Sequence, residues 1–394
     1  MKRKVCFVIQ RYGLDVNGGA ELHCRQLAEH LGENYEVTVM TTKAKDYITW
    51  RNEYVQEIER INGITVYRFD VEKERDMEKF LDMNRLFEKK ILGREKKEME
   101  FLKAQGPYCP KLIYEIKRRK EDFDIFIFFT YLYYTTICGI REVYGKSILI
   151  PTAHDEPYVK MALLRDVFKK AGAIYYNTEL EREMVEHIHN NESVLNAIGG
   201  VGITIPAQIN RHSFKERYGL EDYIIYVGRI EAGKRCRELF KAFGQYKRDY
   251  RSNLKLVLVG KASLDIPKTS DIISLGFISD DEKFQAIAGA MALVLPSQYE
   301  SLSMVVLEAM KLQVPVVVYG KCAVTKAHCL KGNAGLYYDD YLEFEECLEY
   351  LRNHPQIRRE MGKNGKEYVD RNYTWDVICN KLENLIDLIC ENNT

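Results

Sequence analysis

"ALVLPSQYESLSMVVLEAMKLQVPVVV", residues 292–318, reads as strand, helix and strand. Ala292–Leu295 and Val314–Val318 are short apolar runs of the kind buried in a parallel sheet, and the segment between them has helical period from about Ser301 onward. Glu300 and Glu308 interrupt an element otherwise built to be hidden. On one continuous helix the eight residues separating them rise roughly 12 Å. That is enough for two carboxylates to address two diols of one ligand with a diphosphate between them. Glu300 would stand at the helix N-terminal mouth, where unpaired N–H groups and the dipole favour an anion. For a single glutamate at a helix start, capping is the commoner explanation, so the pair has to be read with its surroundings.

Outward from this stretch the same alternation recurs. The first half carries strand-like runs at Val5–Ile9, Val37–Met40, Ile64–Phe69, Ile125–Phe129, Ser147–Ile150 and Ala173–Tyr176. The second carries them at Tyr223–Val227, Lys255–Val259, Ile272–Leu275, Ala292–Leu295 and Val314–Val318. Each set suffices for a doubly wound parallel sheet, and 394 residues exceed what one core usually serves. Glycines cluster and the hydrophobic period breaks in "NAIGGVGITIPAQINRHSFKERYGL", which places a crossing near Ile203–Asn210. The expected division is 1–205, 206–375 and a C-terminal amphipathic helix, 376–394, packing back on the first domain through Val377, Leu382, Leu385, Leu388 and Ile389.

Lysine plus arginine equals aspartate plus glutamate at 58 each, so the chain lacks the electrostatic footprint of a nucleic-acid binder. Ten cysteines are scattered without zinc spacing, which fits reduced thiols in a cytoplasmic protein. No stretch reaches the length of a bilayer span. Residues 85–120 hold twelve Lys/Arg against five Glu, interleaved with Leu86, Phe87, Ile91, Leu92, Met99, Phe101 and Leu102. Two readings stand side by side: a basic amphipathic surface that rests on the inner face of a membrane, or a lysine-rich solvated helix face.

In "YIIYVGRIEAGKRCRELFKAF" a buried strand leads to Gly228 and Arg229, with Lys234 five residues on. Glycine lets the backbone approach a ligand, and the two cations offer a fork and a point charge to phosphate oxygens. Gly18 and Gly19 in "NGGAE" form a strand-to-helix turn suited to close approach, although without a dinucleotide fingerprint. Glu21 reads best as a helix cap. His154 and Asp155 follow "SILIPTA" at a strand's carboxyl end, where open α/β sheets bind ligands, and Asp155 could instead cap the turn at Pro157. "YLYYTT", 131–136, could line an acceptor groove or simply pack. Asp122 and Asp124 have the D-x-D spacing of a metal-bound diphosphate site, but they lead directly into a strand and are read as a surface boundary.

"VGRIEAGK" and "PSQYESLSMVVLEAM" resemble the diphosphate site and the E-x7-E signature of glycosyltransferase family 4, retaining enzymes of GT-B fold. The likeness extends through "NGGAELHCRQLAEHL", "PTAHDEP" and "GNAGLYY", in the family's order along nearly the whole chain. It implies two Rossmann-like domains facing across a cleft. It further implies that Gly18, Gly19, Gly228, Arg229 and Lys234 hold the donor diphosphate, that Glu300 with Ser301, Leu302, Ser303 and Met304 holds the transferred sugar, and that Glu308 binds the ribose. Gly260 and the loop at Phe277 and Ile278 would meet the nucleoside, with core packing an equal alternative for Phe277. His154, Asp155 and Glu300 would form the catalytic set. The expected activity is transfer of a hexose-type sugar, with retention, from a UDP-sugar by preference, or a guanosine donor next, to a glycan or lipid-linked acceptor in surface polysaccharide or glycoconjugate synthesis. No cofactor or metal is expected. A nucleotide-sugar epimerase of the same fold and a non-catalytic nucleotide-sugar-binding scaffold are the alternatives.

Overall fold

Residues 125–129, IFIFF, are buried along their whole length, because helices cover both faces of the sheet in which they lie. The structure is a computed structural model that describes residues 2–16 and 18–392. The chain divides into two units, Met1–Val201 with Trp375–Thr394, and Gly202–Thr374.

The first unit holds eight strands: β1 (Lys4–Val8), β2 (Glu36–Thr42), β3 (Ile58–Ile61), β4 (Ile64–Phe69), β5 (Ile125–Phe129), β6 (Ser147–Ile150), β7 (Ala173–Tyr176) and β8 (Asn196–Ile198). Their order across the sheet is β3-β4-β2-β1-β5-β6-β7-β8. All neighbours run parallel except β3, which pairs antiparallel with β4 through Ile61 and Ile64. Asn62 and Gly63 between them both have positive φ, 46° and 86°, the two-residue turn that suits a hairpin's twist. The second unit holds β9 (Tyr223–Val227), β10 (Lys255–Val259), β11 (Ile272–Ser274), β12 (Ala292–Leu295), β13 (Val316–Tyr319) and β14 (Gly335–Tyr338), all parallel in the order β11-β10-β9-β12-β13-β14.

Three strands are absent from the runs read in the sequence: polar β3 at the sheet edge, three-residue β8, and β14, which opens on Gly335. The strand expected at Val314–Val318 begins at Val316, after Pro315, which has no N–H for the ladder. The helix expected near Ser301 begins only at Met304.

The C-terminal helix, Trp375–Asn392, is part of the first unit. Ile378, Leu382, Leu385, Ile386 and Ile389 are its buried side, so Ile378 and Ile386 join the stripe and Leu388 turns to solvent. Trp375 stacks on His30 with ring centroids 4.0 Å apart, and the Tyr175 hydroxyl donates to the Ile378 carbonyl at 2.8 Å.

Segment 85–120 is not one amphipathic helix. The helix Met77–Arg85 runs into a π-helical turn at Phe87–Ile91, followed by helices Glu95–Gln105 and Pro110–Arg118. Phe87, Ile91, Phe101 and Leu102 are buried in the first unit's core, and Leu92 and Met99 pack against it. Of the apolar residues named for a membrane face, Leu86 alone is exposed. Among the described residues no helix is long and apolar enough to cross a membrane.

Three imidazoles are built into the cores. Burial pushes His23 down to about 3, and His189 and His328 down to about 4. In an unfolded chain they titrate near 6.5. The unfolded state therefore binds more protons between those limits, and stability falls as pH drops from about 6.5 toward 4. Glu181, pushed up to about 8 by burial, has the opposite sign, and Glu308 is shifted in its direction. With one to two net protons, the slope is about 1.4–2.7 kcal/mol per pH unit. Denaturant melts at pH 6, 5.5 and 5, where the unfolded imidazoles are mostly protonated and outnumber Glu181, are expected to show it, and His328→Gln should make it shallower. Leu382→Ala, by opening a cavity under the C-terminal helix, is expected to destabilise the first unit by about 2–5 kcal/mol in the same melts.

Candidate functional site

At the carboxyl edge of the second unit, three strand ends are joined glycine to glycine. The Gly228 N–H donates to the Val259 carbonyl at 2.9 Å, and the Gly260 N–H to the Gly276 carbonyl at 2.7 Å. Gly260 has φ of 136°, and a Cβ there would lie 2.0 Å from the Gly228 carbonyl oxygen, so no other residue fits this approach. The loop after β9 is held by the buried Tyr226, whose hydroxyl donates to the Arg229 carbonyl at 2.7 Å. This fixes the backbone of Arg229 while its guanidinium reaches solvent beside Glu231, 3.2 Å away. Lys234 closes the following turn, and its Nζ lies 2.7 Å from Glu300 Oε1. The cation after β9 and the carboxylate after β12 therefore meet.

Glu300 is not on the helix that bears Glu308, so the helical rise of roughly 12 Å that spaced them on paper does not apply. Ser303 sits in the left-handed region at φ 67° and lets the chain turn before Met304 starts the helix. From beneath, His328 fixes this turn: Nε2 lies 2.9 Å from the Leu302 carbonyl, and Nδ1 3.0 Å from the Tyr368 hydroxyl. The Leu302 side chain is buried, and Ser301 and Met304 are half-buried. Glu308 is 7% exposed, with Lys283 Nζ at 3.1 Å. Burial raises its carboxyl, and Lys283 opposes the shift. Phe277, at 74% exposure, is no core residue, and Ile278 beside it is half-buried.

In the first unit, Gly18 lies over the Glu21 carboxylate, where a Cβ would come within 2.0 Å of Oε2, whereas Gly19 is open. Glu21 does not cap its helix. It is buried against Arg11, whose Nε is 3.1 Å from Oε1, and accepts from Gln10 Nε2 at 3.0 Å. Thr130, after β5, adjoins the group: its hydroxyl shares one proton between the Phe129 carbonyl at 2.6 Å and Gln10 Oε1 at 3.2 Å.

His154 follows β6 and Thr152, which has φ of 52°, unusual for a β-branched residue. Its Nε2 lies 3.4 Å from Glu156 Oε2, and the other Glu156 oxygen accepts from the buried Tyr131 hydroxyl. Beneath the turn, buried Glu181 accepts from the N–H groups of Ala153 and Asn177. Asp155 neither caps a helix nor faces this group; it is exposed and paired with Lys160 at 3.2 Å. Tyr131 and Tyr134 of the aromatic cluster are core, and Tyr133 packs edge-on against buried Trp50. Asp122 pairs with Arg119 and Asp124 accepts from the Lys4 N–H, so both aspartates are engaged structurally.

Gln10, Arg11, Glu156, Glu181, Lys283 and His328 were not singled out from sequence. Glu156 lies inside the quoted "PTAHDEP" and was within reach of that reading. Glu181 in the first unit, and Lys283 and His328 in the second, take their places through folding alone.

Residues 208–368 match the family model described as glycosyl transferases group 1. The alpha-D-kanosaminyltransferase of Streptomyces kanamyceticus is 30% identical over 170 residues, 40% of this chain, and the match spans only 44% of that protein. An alpha-1,4-N-acetyl-D-galactosaminyltransferase of Campylobacter jejuni that acts on an undecaprenol-linked glycan is 23% identical over 92% of this chain and 93% of its own. The structure of Anabaena HepE in complex with UDP-glucose superposes with a TM-score of 0.68 at 14% identity, covering 99% of this chain and 98% of that one. Residues 208–368 thus match a glycosyl transferases group 1 domain, in a chain of GT-B fold.

Proposed function

We propose that this chain is a glycosyltransferase, a retaining enzyme of family 4 type that moves a hexose-type sugar from a nucleoside diphosphate donor, a UDP-sugar by preference, to a hydroxyl of a glycan or lipid-linked acceptor. The observation that carries this reading is the 2.7 Å contact between Lys234 and Glu300 beside the backbone-anchored Arg229. It brings the cation needed by a diphosphate next to a carboxylate suited to sugar hydroxyls. Cleavage of the donor builds negative charge on the diphosphate, and cations already in place lower that barrier without reorganising. On this reading Arg229 and Lys234 take the diphosphate, Lys234 leaving Glu300 for it, and Glu300 turns to the sugar. The charge is then met by side chains, and the reaction needs no metal. His154, with Glu156 behind it, is the first unit's contribution to the reacting sugar, and Gly18 allows close approach of the donor phosphate.

The relatives support the chemistry in kind: one bears the name of a kanosaminyltransferase, one acts on a lipid-linked glycan, and HepE binds UDP-glucose. The lipid-linked glycan acceptor of one relative supports a role in surface polysaccharide or glycoconjugate synthesis. Peripheral attachment through residues 85–120 would rest on cationic charge, since the apolar side chains there belong to the core.

A thermal-shift panel of nucleoside diphosphates, followed by turnover of labelled nucleotide sugars, tests the reading. UDP is expected to raise the melting temperature, and Lys234→Ala to remove most of that rise. Glu300→Gln should leave UDP binding in place and slow donor turnover by about 10²–10³-fold. An epimerised donor as product would favour the epimerase, binding without turnover the scaffold, and absence of any nucleotide effect would refute all three.

A further inference from the structure

The Lys283–Glu308 pair carries bonding capacity that the protein itself leaves unused. Among the described residues, Lys283 is the one hydrogen-bond donor that meets the Glu308 carboxylate, at 3.1 Å, although a carboxylate accepts about four such bonds. The Lys283 ammonium meets two acceptors, Glu308 and Asp280 at 3.2 Å, and its third N–H has only the face of the Phe284 ring, whose centroid is 4.2 Å from Nζ. Both groups are largely withdrawn from water, their side chains 16% and 10% exposed. A buried ion pair recovers its lost solvation only when its remaining lone pairs and protons are also satisfied. Unused acceptors and a donor that meets only a ring face thus lie side by side in a half-dry place.

A vicinal diol has the complementary set: two O–H groups for the carboxylate and lone pairs for the ammonium. The two side chains also come from different parts of the site. Lys283 is on the helix Asp280–Gly289, which follows the loop with exposed Phe277, and Glu308 is on the helix that follows the Glu300 loop. We propose that Lys283 is a ligand-binding residue that forms, with Glu308, a two-part receptor for the ribose diol of the donor nucleotide. Lys283 also keeps its charge there: burial works against it, and Glu308 and Asp280 outweigh burial, so its pKa is raised. A neutral residue at 283 would leave Glu308 as a lone buried carboxyl. This assignment rests on the nucleotide-sugar reading above, but it concerns the sugar common to all nucleotides and holds for uridine and guanosine donors alike.

Calorimetric titration of the full chain with UDP, 2′-deoxy-UDP, GDP and 2′-deoxy-GDP tests it. The wild type is expected to bind the ribose form of whichever base it accepts at least about tenfold more tightly than the deoxy form, because a site built for a hydroxyl rejects the analogue lacking it. Lys283→Met should weaken the ribose form by about tenfold while barely changing the deoxy form, so that the preference collapses, and Lys283→Arg should keep most of it. A wild type indifferent to the 2′-hydroxyl overturns the proposal without any variant. So does a folded Lys283→Met protein, checked by its melting curve, that keeps the wild-type ratio. Should Lys283→Met fail to fold, Lys283→Gln takes its place under the same two criteria. If no nucleoside diphosphate binds at all, the nucleotide-sugar reading itself falls, and the receptor with it.

Discussion

The contact between Lys234 and Glu300 exists because β9 and β12 are neighbours. Chain order alone would not put them together: β9 passes to β10 and β11 on one side, and the chain then crosses back to lay β12 on the other, pairing Leu293 with Ile225. Loops that leave adjacent parallel strands on opposite sides of such a reversal part from each other and open a crevice at the carboxyl edge. Residues 66 positions apart meet there at hydrogen-bond distance. The first unit repeats the arrangement, with β1 between β2 and β5, and the buried Gln10–Arg11–Glu21–Thr130 group sits at that reversal. Each unit thus gathers its polar residues where its strand order turns back.

Polar groups in such crevices are costly unless matched, and the structure shows how they are matched. Glu98, fully buried, accepts from the Ala162 and Leu163 N–H groups at the start of a helix, and Glu181 ties together the ends of β6 and β7. Both carboxylates serve backbone N–H groups, which makes them fasteners. Glu21 is spent on Arg11 and Gln10. Glu300 and Glu308 differ: each is paired with a lysine and with no backbone donor among the described residues, so their partners are the replaceable kind. That contrast separates carboxylates that hold the fold from those placed to hold something else.

Apolar runs made the sheets legible. Ile125–Phe129 and Tyr223–Val227 are dry on both faces and announce themselves by composition alone. β3 was missed because its Glu59 and Arg60 lie at an edge where a strand need not be apolar, although Asn62-Gly63 marked its turn. The glutamate pair was legible as chemistry and misread as geometry. Nothing in "YESLSM" shows that Ser303 adopts a left-handed turn, because the cause is a histidine 25 positions later that pins the Leu302 carbonyl. Lys283 and Glu181 were silent for the same reason: a charged residue in a helix looks solvated until the helix facing it is known.

The helix Trp375–Asn392 fills a place in the unit that begins the chain, next to His30 and Tyr175, after the whole of Gly202–Thr374 has intervened. During synthesis the amino-terminal half therefore waits with an uncovered apolar stripe while the later half emerges and can finish folding ahead of it. The nascent chain thus carries that stripe uncovered until Trp375–Asn392 has been made, an interval in which exposed apolar surface favours aggregation.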